Sequence, residues 1–158
     1  LIENGSHLSY CLGSPRNKRS ELIMEEYQIW QLWSSNQIGA GLGGIGVLLS
    51  IWLAMRIAAA TRNSDETNLF GQIVSSAFGI IVLINAWMVY NVVANLWIAT
   101  AAALTGLKAS GAEISSAAEG YITYVGTTEA ASMPTPLGIA FIVVSALIIL
   151  AQIWMPKD

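Results

Sequence analysis

The stretch from Leu69 to Leu107 contains no charged residue and no proline. As an α-helix rising 1.5 Å per residue it would be about 60 Å long, twice the ~30 Å hydrocarbon core of a bilayer. An apolar run of that length must tilt, protrude, or fold back as two short halves. A hairpin needs turn chemistry near Tyr90 or Asn91, and "NAWMVYNVVANLW" supplies neither glycine nor proline there. The pattern therefore predicts one long helix whose alanine-rich end, "IATAAALTG", leaves the bilayer.

Two other segments share this character. Ile38 to Met55 is free of charge, and a span is expected over residues 38–58. A third, "LGIAFIVVSALIILAQIWM" from Leu137 to Met155, is closed by Pro156. Only 11% of the residues are charged and 54% are apolar, whereas soluble domains carry about 25% charged residues. The expected fold is an all-α integral membrane protein with three transmembrane helices, the second (residues 69–106) unusually long. A net charge of −3 offers no basic patch to a phosphate backbone, so a nucleic-acid partner is not expected. The partner that is expected is the lipid bilayer.

The connections are polar. Residues 61–68 form a short loop, and residues 108–136 a longer one rich in Ser, Thr, Gly and Glu. Within the longer loop, "YITYV" reads as a strand or as an aromatic patch resting at the interface. Residues 1–23 are polar, hold the single His7 and the single Cys11, and precede Met24. They are expected to be a non-native or disordered leader, with residues 24–158 as the domain. Arg56, Arg62 and Lys157 lie at ends of the spans that share one side of the membrane. The bias of basic residues toward the cytoplasm then puts the C-terminus inside and the Met24 end outside, in a plasma (inner) membrane. Arg16, Lys18 and Arg19 argue the opposite way if they belong to the mature chain. Trp30, Trp33, Trp97 and Trp154 fall near expected boundaries, where an aromatic belt would place them.

"GAGLGGIG", Gly39 to Gly46, spells the GxGxxG of a dinucleotide loop. Such a loop needs a strand before it and a helix after it. The preceding "WSSNQI" is no strand, and the acids Asp65 and Glu66 lie a full hydrophobic span away. Steps of three and four residues instead bring Gly39, Gly43, Gly46 and Ser50 to one helix face, with Ala54 continuing it. Membrane helices associate where small residues let backbones approach, so this face is expected to be a packing seam. Gly138, Ser145 and Gln152 form a comparable series in the third span, where Gln152 should either seek a hydrogen-bond partner among the helices or reach the interface at the end of the span.

The second span holds the most polar interior. Gln72, Ser76, Gly79, Tyr90, Ala94 and Trp97 share one face. Asn91 and Asn95 share another, with Asn85 at its margin. Lipid cannot satisfy their amides, which must face helices, water, a ligand or another protein.

Outside the leader there is neither His nor Cys, so the usual haem, zinc and copper ligands are missing, and no cofactor is expected. Serines stand without a histidine base, and no acid or lysine is embedded in a span as a proton relay. An enzyme is not expected. Glu113, Glu119 and Glu129 spell no calcium loop. Two readings follow. The first is a structural or accessory subunit that packs through its small-residue seams into a homo-oligomer or a larger membrane complex. The second is a channel or transporter component with an asparagine-lined path formed on oligomerisation.

Overall fold

The computed structural model describes residues 15–64 and 68–155, with side chains from residue 25 onward. These residues form helices α1 (Pro15–Asn63), α2 (Leu69–Ala109), α3 (Ser116–Val125) and α4 (Pro136–Trp154), and no strand. Three of the helices, α1, α2 and α4, are long and apolar enough to cross a membrane.

α2 is one continuous helix of 41 residues. Nothing in it breaks the backbone hydrogen-bond ladder, so it holds its direction past Tyr90 and Asn91. Asn68 caps its start by accepting the Gly71 N–H at 3.0 Å. α1 is longer still, at 49 residues. The expected span began at residue 38, but the preceding "EEYQIWQLWSSNQ" contains no helix breaker and continues the same helix. No change of backbone conformation marks residue 24 either, since α1 runs through it. Residues 1–14, with His7 and Cys11, lie outside the described residues, as do residues 65–67 and 156–158 with Asp65, Glu66, Pro156 and Lys157.

α1 and α2 run antiparallel along much of their length. α4 lies antiparallel to α2, with Gly138 beside Tyr90 at one end and Trp154 donating to Ser76 Oγ at the other (3.0 Å). The three helices meet in a core of Val47, Ile51, Ala54 and Ala58 from α1, Val82 and Ala86 from α2, and Ile142, Ile149 and Ile153 from α4. Within each helix these positions recur at steps of three, four or seven, as one buried stripe requires. Alanines 54, 58 and 86 are at most 2% exposed and let the axes approach. At Gly79 the approach is closest, where an added Cβ would stand 2.8 Å from Ile149 Cγ2.

The opposite surface of this bundle is apolar. Leu42, Leu49, Ile81, Ile84, Val144 and Leu147 are each more than half exposed. Water-soluble monomers rarely show contiguous apolar area on that scale. Beyond Val92 the surface of α2 changes: its exposed positions are Ala99, Ala103, Thr105, Gly106, Lys108 and Ala109. α1 changes in step, with Glu25, Gln28, Gln31, Ser34 and Ser35 among its exposed positions between residues 25 and 37. The molecule is thus divided into an apolar bundle and a cap built from the outer parts of α1 and α2.

The cap also holds α3, a correction to the expectation of a loop over residues 108–136. "YITYV" lies within this helix and is not a strand. Ser115 caps its N-terminus by accepting the Ala118 N–H at 3.2 Å. Gly126 ends it at φ +71°, a left-handed conformation that disfavours residues with a Cβ. β-branched and aromatic residues weaken helix propensity, but ten residues between such stops suffice when one face packs.

Candidate functional site

The cap is organised around Tyr121. Its ring stacks on Trp97 of α2 (5.9 Å, 6°) and meets Trp30 and Trp33 of α1 edge-on at 5.4 and 6.2 Å. Trp33 also meets Trp97 edge-on at 6.0 Å. Edge-to-face and offset stacks at these separations are the favourable arrangements of aromatic quadrupoles. The polar edges are used as well. Trp33 Nε1 donates to the Tyr121 hydroxyl (3.0 Å), which donates to the Trp97 carbonyl (3.3 Å). Burial raises the Tyr121 hydroxyl above its ordinary pKa, and hydrogen bonds from Trp33 and Thr100 offset part of that rise. Three of the four tryptophans expected in a belt are therefore gathered into one cluster, because α3 supplies a ring for them to surround.

A second tie joins α1 to the start of α3. Glu26 accepts from the Ser115 backbone N–H (2.9 Å), the Ser115 hydroxyl (2.6 Å) and Trp30 Nε1 (3.1 Å). Burial acts to raise its pKa, but these donors prevail and hold the carboxyl below its ordinary value of 4.5. At the far side Lys108 pairs with Glu119 at 2.7 Å across an exposed surface.

The asparagines take part in a third tie. Asn95 Nδ2 donates to the Ala131 carbonyl (2.9 Å) and Asn95 Oδ1 accepts the Ala131 N–H (2.9 Å). One side chain thus replaces both partners that a neighbouring strand would have offered this residue. Asn91 Nδ2 donates to the Ser132 carbonyl (3.1 Å), and its Oδ1 accepts from Asn95 Nδ2 (2.6 Å). Asn91 and Asn95 come together on the chain that leads into α4, whereas Asn85 stays apart and exposed.

Between these ties lies an open cleft of about 630 Å³, with Trp97 and Ile98 on one wall, Tyr124 and Val125 on another, and Met133 and Pro134 on the third. Among the described residues no three His, Cys, Asp or Glu side chains gather as metal ligands would.

The two small-residue series occupy different surroundings. Gly138 and Ser145 are buried in the bundle, and Gln152 is partly buried beside them. Gln152 Oε1 has no hydrogen-bond partner, nor does Ser75 Oγ on α2. Of the Gly39 series, only Gly43 meets another helix: an added Cβ would touch Val89 at 3.5 Å. Gly39 and Gly46 are exposed with nothing within 4 Å of that position, and Ser50 Oγ donates to the Gly46 carbonyl of its own helix at 2.8 Å. The face that α1 turns to its neighbours is Val47, Ile51, Ala54 and Ala58, which the series joins at Ala54.

Reading the sequence missed Glu26, Ser115 and Tyr121 as structural centres. The signal present was the pair Ser115 and Gly126, an N-cap residue and a C-terminal glycine bracketing one short helix. Compared with known proteins, the chain matches no family model, no curated protein and no solved structure.

Proposed function

We propose that this protein is a structural or accessory subunit of a membrane assembly. Its apolar bundle lies in the bilayer, its cap stands outside, and the bare face of α1 along Gly39, Gly46 and Ser50 receives a second copy or a partner membrane protein. The observation that carries this reading is the unused glycine face. Gly39 and Gly46 sit in the apolar part of α1, and an added Cβ at either would meet nothing from another helix within 4 Å. In a bilayer, association is favoured where backbones can come this close.

The asparagine-lined path finds less support, since Asn91 and Asn95 use their amides on the backbone of Ala131 and Ser132. Arg56 and Arg62, at the end of the bundle away from the cap, support an orientation with the cap outside and the C-terminus cytoplasmic, in what we take to be a plasma (inner) membrane, whereas Arg16, Lys18 and Arg19 on α1 count the other way if they belong to the mature chain. Native mass spectrometry of the protein released from its membrane tests the proposal. Gly39→Leu and Gly46→Leu together should disperse the assembly while leaving the helical fold intact. An assembly of unchanged stoichiometry would overturn it.

A further inference from the structure

The cleft in the cap has walls of unusual construction for a surface feature. Its floor, Ala131 to Thr135, is held by the asparagine pair, and its α3 wall is held by the tryptophans around Tyr121. No charged residue lines it. The two threonines among its walls are occupied locally, Thr127 Oγ1 accepting the Glu129 N–H and Thr135 Oγ1 accepting the Gly138 N–H. The walls therefore offer mainly hydrocarbon and aromatic contact, with the hydroxyls of Tyr124, Thr127 and Thr135 as their polar groups and no charged side chain. At about 630 Å³ the cleft falls within the range of roughly 300–1,000 Å³ that small-molecule sites occupy.

Its position selects the occupant. The cleft begins where α4 starts, at the level where the exposed apolar surface of α2 ends with Val92. Tyr124 and Met133, which line it, are 79% and 55% exposed, and Leu137 in the first turn of α4 is 81% exposed. These side chains continue the apolar surface of the bundle upward into the cap, past the paired rings of Tyr90 and Phe141 (6.2 Å). We infer that the cleft takes the acyl chain of a bilayer phospholipid, drawn up from the leaflet on the cap side. The inference rests on the membrane placement proposed above.

The test uses the full chain in phosphatidylcholine nanodiscs containing a phosphatidylcholine with a diazirine on its acyl chain. After photolysis, adducts are mapped by peptide mass spectrometry. Adducts are expected at Tyr124 and Met133 as well as at bundle positions such as Ile81 and Leu147. Ala94→Phe and Val125→Phe fill the cleft from α2 and from α3, and each should lose the cleft adducts while keeping those of the bundle. Two independent fillings keep the comparison alive if one variant does not fold. Bundle adducts without cleft adducts in the unaltered protein, or cleft adducts that persist in a folded filled variant, would overturn the inference and leave the membrane placement standing. Absence of adducts at Ile81 and Leu147 as well would overturn the placement, and the inference with it.

Discussion

The bundle and the cap use the same two helices and hold them together by different means. In the bundle, α1 and α2 meet α4 mainly through methyl groups and small residues; Trp154 donates to Ser76 at one end, and Ser75 Oγ and Gln152 Oε1 are left without a partner. In the cap they are joined by hydrogen bonds that cross between elements: Glu26 to Ser115, Trp33 to Tyr121, Asn95 to Ala131. On the membrane placement proposed above, the difference follows from the neighbourhood. Apolar side chains surrounded by lipid gain nothing by leaving it, so contact there depends on fit. Beyond the bilayer, water makes aromatic burial favourable, and buried polar edges then need partners.

If fit alone holds the bundle, the largest effect should come from Gly79. A leucine there must displace Ile149, which is only 1% exposed and cannot yield freely. Gly79→Leu should cost about 3 kcal/mol, at the upper end for overpacking, and separate α4 from α2, seen as a lower unfolding free energy by steric trapping. An unchanged value would show that the bundle is looser than its geometry. Gly46→Leu, in open space on the same kind of helix, should leave that free energy unchanged.

The cap should respond to lost hydrogen bonds. Asn95→Leu leaves both backbone groups of Ala131 without their partner, at about 1–3 kcal/mol for each one kept from water. Hydrogen exchange should quicken at Ala131 and the residues before α4, with protection in the core of the bundle retained. Loss of protection throughout would mean that the two regions unfold as one unit.

Glu26→Gln should have a smaller effect, about 1–2 kcal/mol, because the amide still accepts from Ser115 but without charge. The native protein carries a related pH dependence. The folded carboxyl has a lowered pKa, so its contribution is present above the ordinary glutamate range and is lost as pH falls through the folded value, below 4.5. Exchange at α3 amides should rise over that acidic interval in the unaltered chain. In Glu26→Gln the Glu26-dependent part of this rise should vanish. The smallest effect is expected at Ser75, a 5% exposed residue whose hydroxyl has no partner. Ser75→Ala should be neutral or stabilise by up to about 1 kcal/mol, and a clear destabilisation would reveal a hydrogen bond that the packing does not show.

The long helices were legible because length, charge and turn chemistry are local properties. The absence of Gly and Pro around Tyr90 argues for an unbroken α2, and α2 is unbroken. The same reasoning stopped short on α1, where the polar residues before Ile38 drew the boundary of an apolar segment and left the helix itself unbounded. α3 was hidden because Tyr121, Ile122, Thr123, Tyr124 and Val125 have weak helix preference, and its tertiary support comes from Trp30 and Trp33, remote in sequence. The asparagines illustrate the same limit. That Asn91 and Asn95 need partners follows from their chemistry, but the sequence cannot show that the partner is the backbone of Ala131 and Ser132. The glycine spacing likewise identified a face of α1 free of side chains without indicating that the helix turns Val47 and Ile51 to its own core.

The central claim is that the bilayer covers the bundle and not the cap. It can be tested with single cysteines in a Cys11→Ser background, placed at Ala103 in the cap and at Ile81 in the bundle, both exposed within the protein itself. A membrane-impermeant maleimide added to the cap side of sealed vesicles should label Ala103→Cys rapidly and spare Ile81→Cys until detergent is added. Equal labelling of the two positions in intact vesicles would contradict the account.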